Sequence, residues 1–221
     1  MTETGVASGD HADVPLHEIY IVELRDQALV LIQLGYRRMA DVDYSTADED
    51  AITGELARHM KTVLEETEAP PWTERYSVSE QVRSNATGKL GKRRAIVDVE
   101  FERHTRGLRP RLRFEAKRLY YGSGVSEYVG DEGLGAFLNG HYSRTHNEVG
   151  MLGYVQENTE SDWAEKLAKR LVPPGHKIVA GGEWRSLPCE CGPTHAYRSD
   201  HMDDHASPLL VLHVLLRFTS P

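Results

Sequence analysis

Apolar residues recur along this chain at two periods, and the change from one to the other marks its elements. Residues 16–39 are rich in apolar side chains and helix formers and predict a first helix. Ile52, Leu56, Met60, Val63 and Leu64 recur at helical spacing and predict a second helix over residues 48–66. Thr46-x-x-Glu49 ahead of it has the form of a capping box, and Pro70-Pro71 ends the segment. The period then drops to two. Residues 75–84 read as a first strand, residues 93–103 as a second and residues 112–120 as a third. The stretch 85–91 is a loop, and the basic segment 104–111 joins the second and third strands. In the third strand Leu112, Phe114 and Ala116 alternate against Arg113, Glu115 and Lys117. A period of two places Glu115 and Lys117 on one face. Asp98, Glu100 and Glu102 likewise share a face of the second strand.

Further on, Leu134, Phe137, Leu138 and Tyr142 predict a helix over residues 131–141, followed by a strand over 149–156. Trp163, Leu167 and Leu171 mark another helix, stopped by Pro173-Pro174-Gly175. Residues 176–180 and 208–218 are further strands. Helices and strands that follow one another in this order predict an α/β domain. Residues 1–14 are small, polar and aperiodic, which predicts a disordered tail; residues 15–221 then form a single domain. No repeat or low-complexity segment interrupts it.

Charge changes this picture more than composition does. The 221 residues carry a net charge of −8, which by itself argues against a polyanion partner. Its distribution argues the other way. Residues 1–68 hold 15 acids and 5 Lys/Arg, whereas residues 83–118 hold 12 Lys/Arg and 4 acids. A basic segment inside an acidic whole is a local footprint for nucleic acid, or else a solvated charged hairpin. No apolar run approaches the ~20 residues of a bilayer span. The two cysteines stand two positions apart, so no disulfide framework is expected, and a cytoplasmic setting follows.

The candidate chemistry lies within that basic segment. Asp98 on one strand, with Glu115-Ala116-Lys117 on the next, sets two carboxylates and an ammonium together. Carboxylates hold a hard divalent cation through oxygen, and the cation neutralises charge and activates water. The lysine can orient or deprotonate that water, or stabilise pentavalent phosphorus. An acid-x-Lys tripeptide alone is a chance event in a chain with 34 acids and 7 lysines. With an acid one strand upstream and helices on either side, the chain resembles the PD-(D/E)XK nuclease superfamily over residues 47–155. Asp98 matches the family's first acid, Glu115 its second and Lys117 its lysine, while Val97 stands where the family carries proline.

The order helix, three strands, helix, strand matches that superfamily's core, so the resemblance implies a mixed central β-sheet flanked by helices, a restriction-endonuclease-like core, and a Mg²⁺-dependent endonuclease acting on DNA, with Mn²⁺ able to substitute. It implies that Asp98, Glu115 and the Ala116 carbonyl bind the metal, with restriction, phage defence or repair as the setting. An acid on the helix before the sheet completes the metal shell in many members. Glu55 is the candidate here, with a solvated helix acid as its other reading. Partners would be DNA, or alternatively RNA, with the chain acting as a homodimer or within a larger defence complex. A catalytically silent nucleic-acid-binding or assembly subunit of the same fold is the alternative from another class.

Arg94, Arg106, Arg109, Arg111, Arg113 and Arg118 are the candidates for phosphate contacts, since guanidinium forks pair bidentately with phosphate. Solubility is their other reading. Near the C-terminus, Cys189-x-Cys191-x-x-x-His195, with His201 and His205, is either a zinc site or a loop with exposed histidines. Tyr197–His201 is a further candidate for phosphate contact, and His213, set in an apolar strand, reads as a satisfied core histidine. Changing Arg106, Arg109 and Arg111 together to Ala is expected to lower affinity for duplex DNA about equally across sequences and to flatten its salt dependence. Titrating labelled duplex at several salt concentrations checks this.

Overall fold

The computed structural model describes residues 16–83, 95–105, 107, 109–122, 124–140, 142, 147–171 and 184–219. Five helices and seven strands are assigned among them. Helices α1 (Leu16–Arg37) and α2 (Glu49–Glu65) come first, and a 3-10 turn (Pro71–Arg75) leads into β1 (Tyr76–Arg83). Strands β2 (Ile96–Arg103) and β3 (Arg111–Leu119) follow, then short helices α3 (Gly124–Val129) and α4 (Leu134–Leu138). The chain continues through β4 (Glu148–Val155), α5 (Glu160–Leu171), β5 (Arg185–Ser186), β6 (Ala196–Met202) and β7 (Pro208–Arg217). The strands form one mixed sheet in the order β1-β2-β3-β4-β7-β6-β5. β3, β4 and β7 run parallel at its centre, with antiparallel pairs on both sides.

Each face of the sheet is covered by a separate apolar layer. On one, Leu24, Leu29 and Ile32 of α1 and Ile52, Leu56 and Met60 of α2 pack on Val99, Phe101, Leu112, Phe114 and Ala116. On the other, Tyr128, Phe137, Trp163, Leu167 and Leu171 cover Leu119, Met151, Val211 and Leu215. Central parallel strands covered on both faces carry nearly continuous apolar runs, which is why β7 reads Pro-Leu-Leu-Val-Leu-His-Val-Leu-Leu-Arg. At the β3–β4 step Phe114 lies opposite Gly150, and a Cβ there would collide with the Phe114 ring. Only glycine allows the ring to lie flat across its neighbour strand.

The structure departs from the periodicity in three places. First, the N-cap of α2 is Asp48, whose carboxylate accepts from the Ala51 N–H at 2.8 Å. Glu49 is therefore not committed to capping. Second, a helix also precedes residues 131–141: α3 begins at Gly124 and buries Tyr128 and Val129, too short a stretch for a period to show. Third, Ala196–Met202 is a strand that buries Ala196, Ser199 and His201 rather than a loop with exposed histidines. Its polar residues are paired in the core. The Ser199 hydroxyl lies 2.6 Å from His201 Nε2 and 2.7 Å from His213 Nε2, and the Tyr128 hydroxyl is 3.0 Å from His213 Nδ1. Burial holds the His213 imidazole well below its ordinary pKa, so it is a neutral core residue. The expected tail, the 85–91 loop and the 176–180 strand lie outside the described residues. No helix among the described residues is long and apolar enough to cross a membrane.

Replacing Gly150 with Ala is expected to destabilise the fold by about 1–3 kcal/mol through overpacking against Phe114. Adding Phe114→Leu should recover part of that loss, because the two sites share one contact. Urea unfolding of both single variants and the double variant measures the coupling.

Candidate active site

The site grows out of the β2–β3 register. Glu102 lies opposite Arg111 and Glu100 opposite Arg113. Both rungs join opposite charges, with Arg111 Nε 2.7 Å from Glu102 and Arg113 Nε 2.6 Å from Glu100. The same register, extended one residue past its last pair, Val99–Phe114, sets Asp98 against Glu115. That rung joins two carboxylates, and like charges in this relation repel. Ladder pairing stops at Val99–Phe114 although both strands continue.

Beyond that point the β3 backbone edge that faces β2 needs other partners, since buried N–H and C=O groups are rarely left unmade. Side chains supply them. Asp98 Oδ2 accepts from the Ala116 N–H at 2.7 Å, and Glu49 Oε2 accepts from the Arg118 N–H at 3.2 Å. Lys117 Nζ donates to the Ala116 carbonyl at 2.7 Å, to Glu49 Oε1 at 2.9 Å and to Glu115 Oε1 at 3.0 Å. Those three contacts match the three donors of an ammonium. The other Glu115 oxygen accepts from the Tyr142 hydroxyl at 2.8 Å, and that hydroxyl also lies 2.9 Å from the Ile96 carbonyl.

Burial sets the electrostatics. Glu115 is 5% exposed. Its burial, reinforced by the Asp98 charge, pushes its carboxyl up to about 8 against the opposing pull of Lys117 and Tyr142. Burial also raises Asp98, opposed by the Ala116 N–H and Lys117. Burial of Lys117 works toward the neutral amine, but the Glu115 and Glu49 carboxylates outweigh it and raise its pKa. Beside the cluster is a cleft of about 340 Å³, lined by Glu49, Lys117, Ser126, Glu127, Gly130, Asp131 and Glu132.

Asp98, Glu115, Ala116 and Lys117 are thus brought together. Glu55 is not. Its carboxylate pairs with Arg58 at 2.6 Å and stays largely exposed. The helix acid at the site is Glu49, nearly two turns earlier. Its only sequence signal is its place at the helix start, where the capping-box reading had given it another task. Tyr142 was legible only as a helix-face apolar residue. Among the described residues no three or more His, Cys, Asp or Glu side chains form a group that could hold a metal ion. The space between Glu49 and Glu115 is filled by the Lys117 ammonium.

The arginines also divide. Arg94 and Arg106 lie outside the described residues. Arg113 is buried on Glu100, and Arg111 is tied to Glu102. Arg109 is mostly exposed, 3.4 Å from Glu102. Arg118 lies over the Tyr120 ring, 5.1 Å from its centroid. Arg111 and Arg113 are therefore spent within the sheet, which leaves fewer of the described candidate guanidinium groups for phosphate. Cys189 is partly buried, Cys191 exposed, and His195 Nδ1 lies 3.3 Å from the Tyr197 hydroxyl, with no metal group among them.

Fold and site define an α/β protein with a mixed seven-stranded sheet and an acid–lysine cluster where its β2–β3 ladder opens. Compared with protein-family models, with curated proteins and with solved structures, the chain matches none of them.

The Glu115 shift gives a pH signature of stability. Below about pH 4.5 the carboxyl is protonated folded and unfolded alike, and above about pH 8 it is ionised in both. Between these limits the folded state keeps a proton that the unfolded chain has lost, so stability falls as pH rises. Glu115→Gln retains the neutral form. Its stability relative to the wild type should rise across this window and level off above it, measured by urea unfolding in EDTA. A constant difference would mean that Glu115 is ionised throughout.

Proposed function

We propose that this protein is a metal-dependent phosphodiester hydrolase acting on nucleic acid, with DNA as the expected substrate. The observation that carries the reading is the Asp98–Glu115 rung, a half-buried and a buried carboxyl group drawn together at an open backbone edge beside an ammonium. Such a pair lacks a positive charge of its own. Burial raises the pKa of both carboxyls, and a divalent cation would offset their repulsion. The donor set fits Mg²⁺: the carboxylates of Asp98 and Glu115 and the Ala116 carbonyl are all hard oxygens, and the adjoining cleft is acidic. When bound there, the ion would neutralise phosphate charge and make its water a stronger acid.

The residues of the chain then take separate roles. Asp98 is oriented by the Ala116 N–H, and Glu115 by Tyr142. Lys117 is held as an ammonium by Glu49 and Glu115, so its role is to stabilise charge on the phosphoryl oxygens rather than to take a proton. Hydrolysis adds water across the P–O bond, and the departing oxygen leaves with a proton. Glu49 is a positioning residue that fixes Lys117. The silent-subunit reading draws on the same ammonium, which fills the space between Glu49 and Glu115.

Asp98→Ala and Glu115→Ala are expected to abolish Mg²⁺-supported cleavage of plasmid, linear duplex or RNA. Lys117→Ala should lower the rate roughly 10²–10³-fold while metal binding, followed by calorimetry, persists. Full activity in Asp98→Ala and Lys117→Ala would refute the assignment, and inactivity of the wild type with every substrate and metal would favour the silent subunit.

A further inference from the structure

We infer that the turn after β3 is a stacking platform for an unpaired base, and that Tyr121 presents it, so that the substrate enters the site as a single strand. The inference rests on the nucleic-acid reading above and adds the substrate's form. Tyr121 is 81% exposed, the most exposed large hydrophobic side chain among the described residues. Its backbone is nevertheless fixed. The Tyr121 N–H donates to Glu157 Oε2 at 2.7 Å, and Gly122 follows at φ +109°, a conformation that favours glycine. A ring held outward by a fixed backbone loses little freedom when something stacks on it.

The position of the turn points the same way. It lies at the carboxyl ends of the parallel neighbours β3 and β4, where open α/β sheets bind ligands. Tyr121 is four residues past Lys117, or about 13 Å along an extended chain. Between them stand Arg118 and Tyr120, whose guanidinium and ring are stacked on each other. The sequence from Arg118 to Tyr121 thus offers a guanidinium and two rings, a combination that binds single strands without reading sequence.

Charge argues against a duplex at this place. The cleft beside Lys117 is lined by Glu49, Glu127, Asp131 and Glu132. A duplex brings a second phosphate backbone toward those carboxylates. A single strand brings one, and its unpaired bases can turn toward the β3 exit. The Tyr120 hydroxyl, 3.5 Å from Glu127 Oε1, marks where the acidic lining meets the aromatic exit.

The test uses the full chain and two labelled probes, a polythymidine strand and a blunt duplex, with Ca²⁺ in place of Mg²⁺. Tyr121→Ala is expected to weaken strand binding roughly 5- to 100-fold, Tyr121→Phe to stay near the wild type, and duplex binding to be unchanged by either. Because the ring is exposed, all three proteins should unfold at the same temperature. Equal strand affinity in the wild type and Tyr121→Ala, or an equal loss for strand and duplex, overturns the platform while leaving the nucleic-acid reading intact. Wild-type binding to neither probe overturns both.

Discussion

The site depends on one unfavourable rung in an otherwise complementary ladder. Two steps of the β2–β3 pairing join glutamate to arginine, and the third brings Asp98 to Glu115. Repulsion between a half-buried and a buried carboxylate has to be met by a proton, an ammonium or a metal ion, or by separating the strands. Here the ladder ends at this point, burial and the Asp98 charge raise the Glu115 pKa, and an ammonium sits alongside. The opened edge of β3 then becomes the scaffold on which Asp98, Glu49 and Lys117 are held by backbone contacts.

This arrangement places the cluster on rigid elements. Asp98 and Glu115 stand on adjacent strands of a sheet packed on both faces, and Glu49 is in the first turn of α2. Asp48 carries the cap of that helix, which leaves Glu49 able to reach across to β3. Tyr142 approaches from the other layer and ties Glu115 to the Ile96 carbonyl region. The two layers of the fold therefore meet at this cluster, and a shift in either would move a carboxylate.

Charge at the surface follows from the same rungs. Two arginines of the basic segment, Arg111 and Arg113, are consumed in pairing with Glu102 and Glu100. What faces the cleft is mainly acidic, with Lys117 as the cation among its lining residues. A polyanion is accepted at such a place only where a cation is bound or where the approach avoids the acidic lining, and both proposals made for this protein meet that requirement.

Much of the architecture was legible in the sequence because it rests on periods. The spacing of Ile52, Leu56 and Met60 and the alternation of Leu112, Phe114 and Ala116 each reflect burial of one face, which any tertiary arrangement must respect. That Glu115 and Lys117 share a face was legible for the same reason, since a period of two fixes a face, whereas the β2–β3 register brings Asp98 to them. The identity of the helix acid was not. Glu49 and Glu55 are both plausible by spacing, and only the position of α2 relative to the open edge of β3 decides that Glu49 reaches Lys117. Tyr142 likewise enters the site through the fold, 27 residues from Glu115 in the chain. Strand β6 was hidden because Ser199 and His201 are polar, and polar residues predict exposure unless partners lie elsewhere in the chain. Those partners, His213 and Tyr128, are brought to them only by the sheet order and the packing of α3. Local pattern determined which residues could share a face; long-range pairing decided which faces met, because register and layer packing join residues that no window of sequence contains.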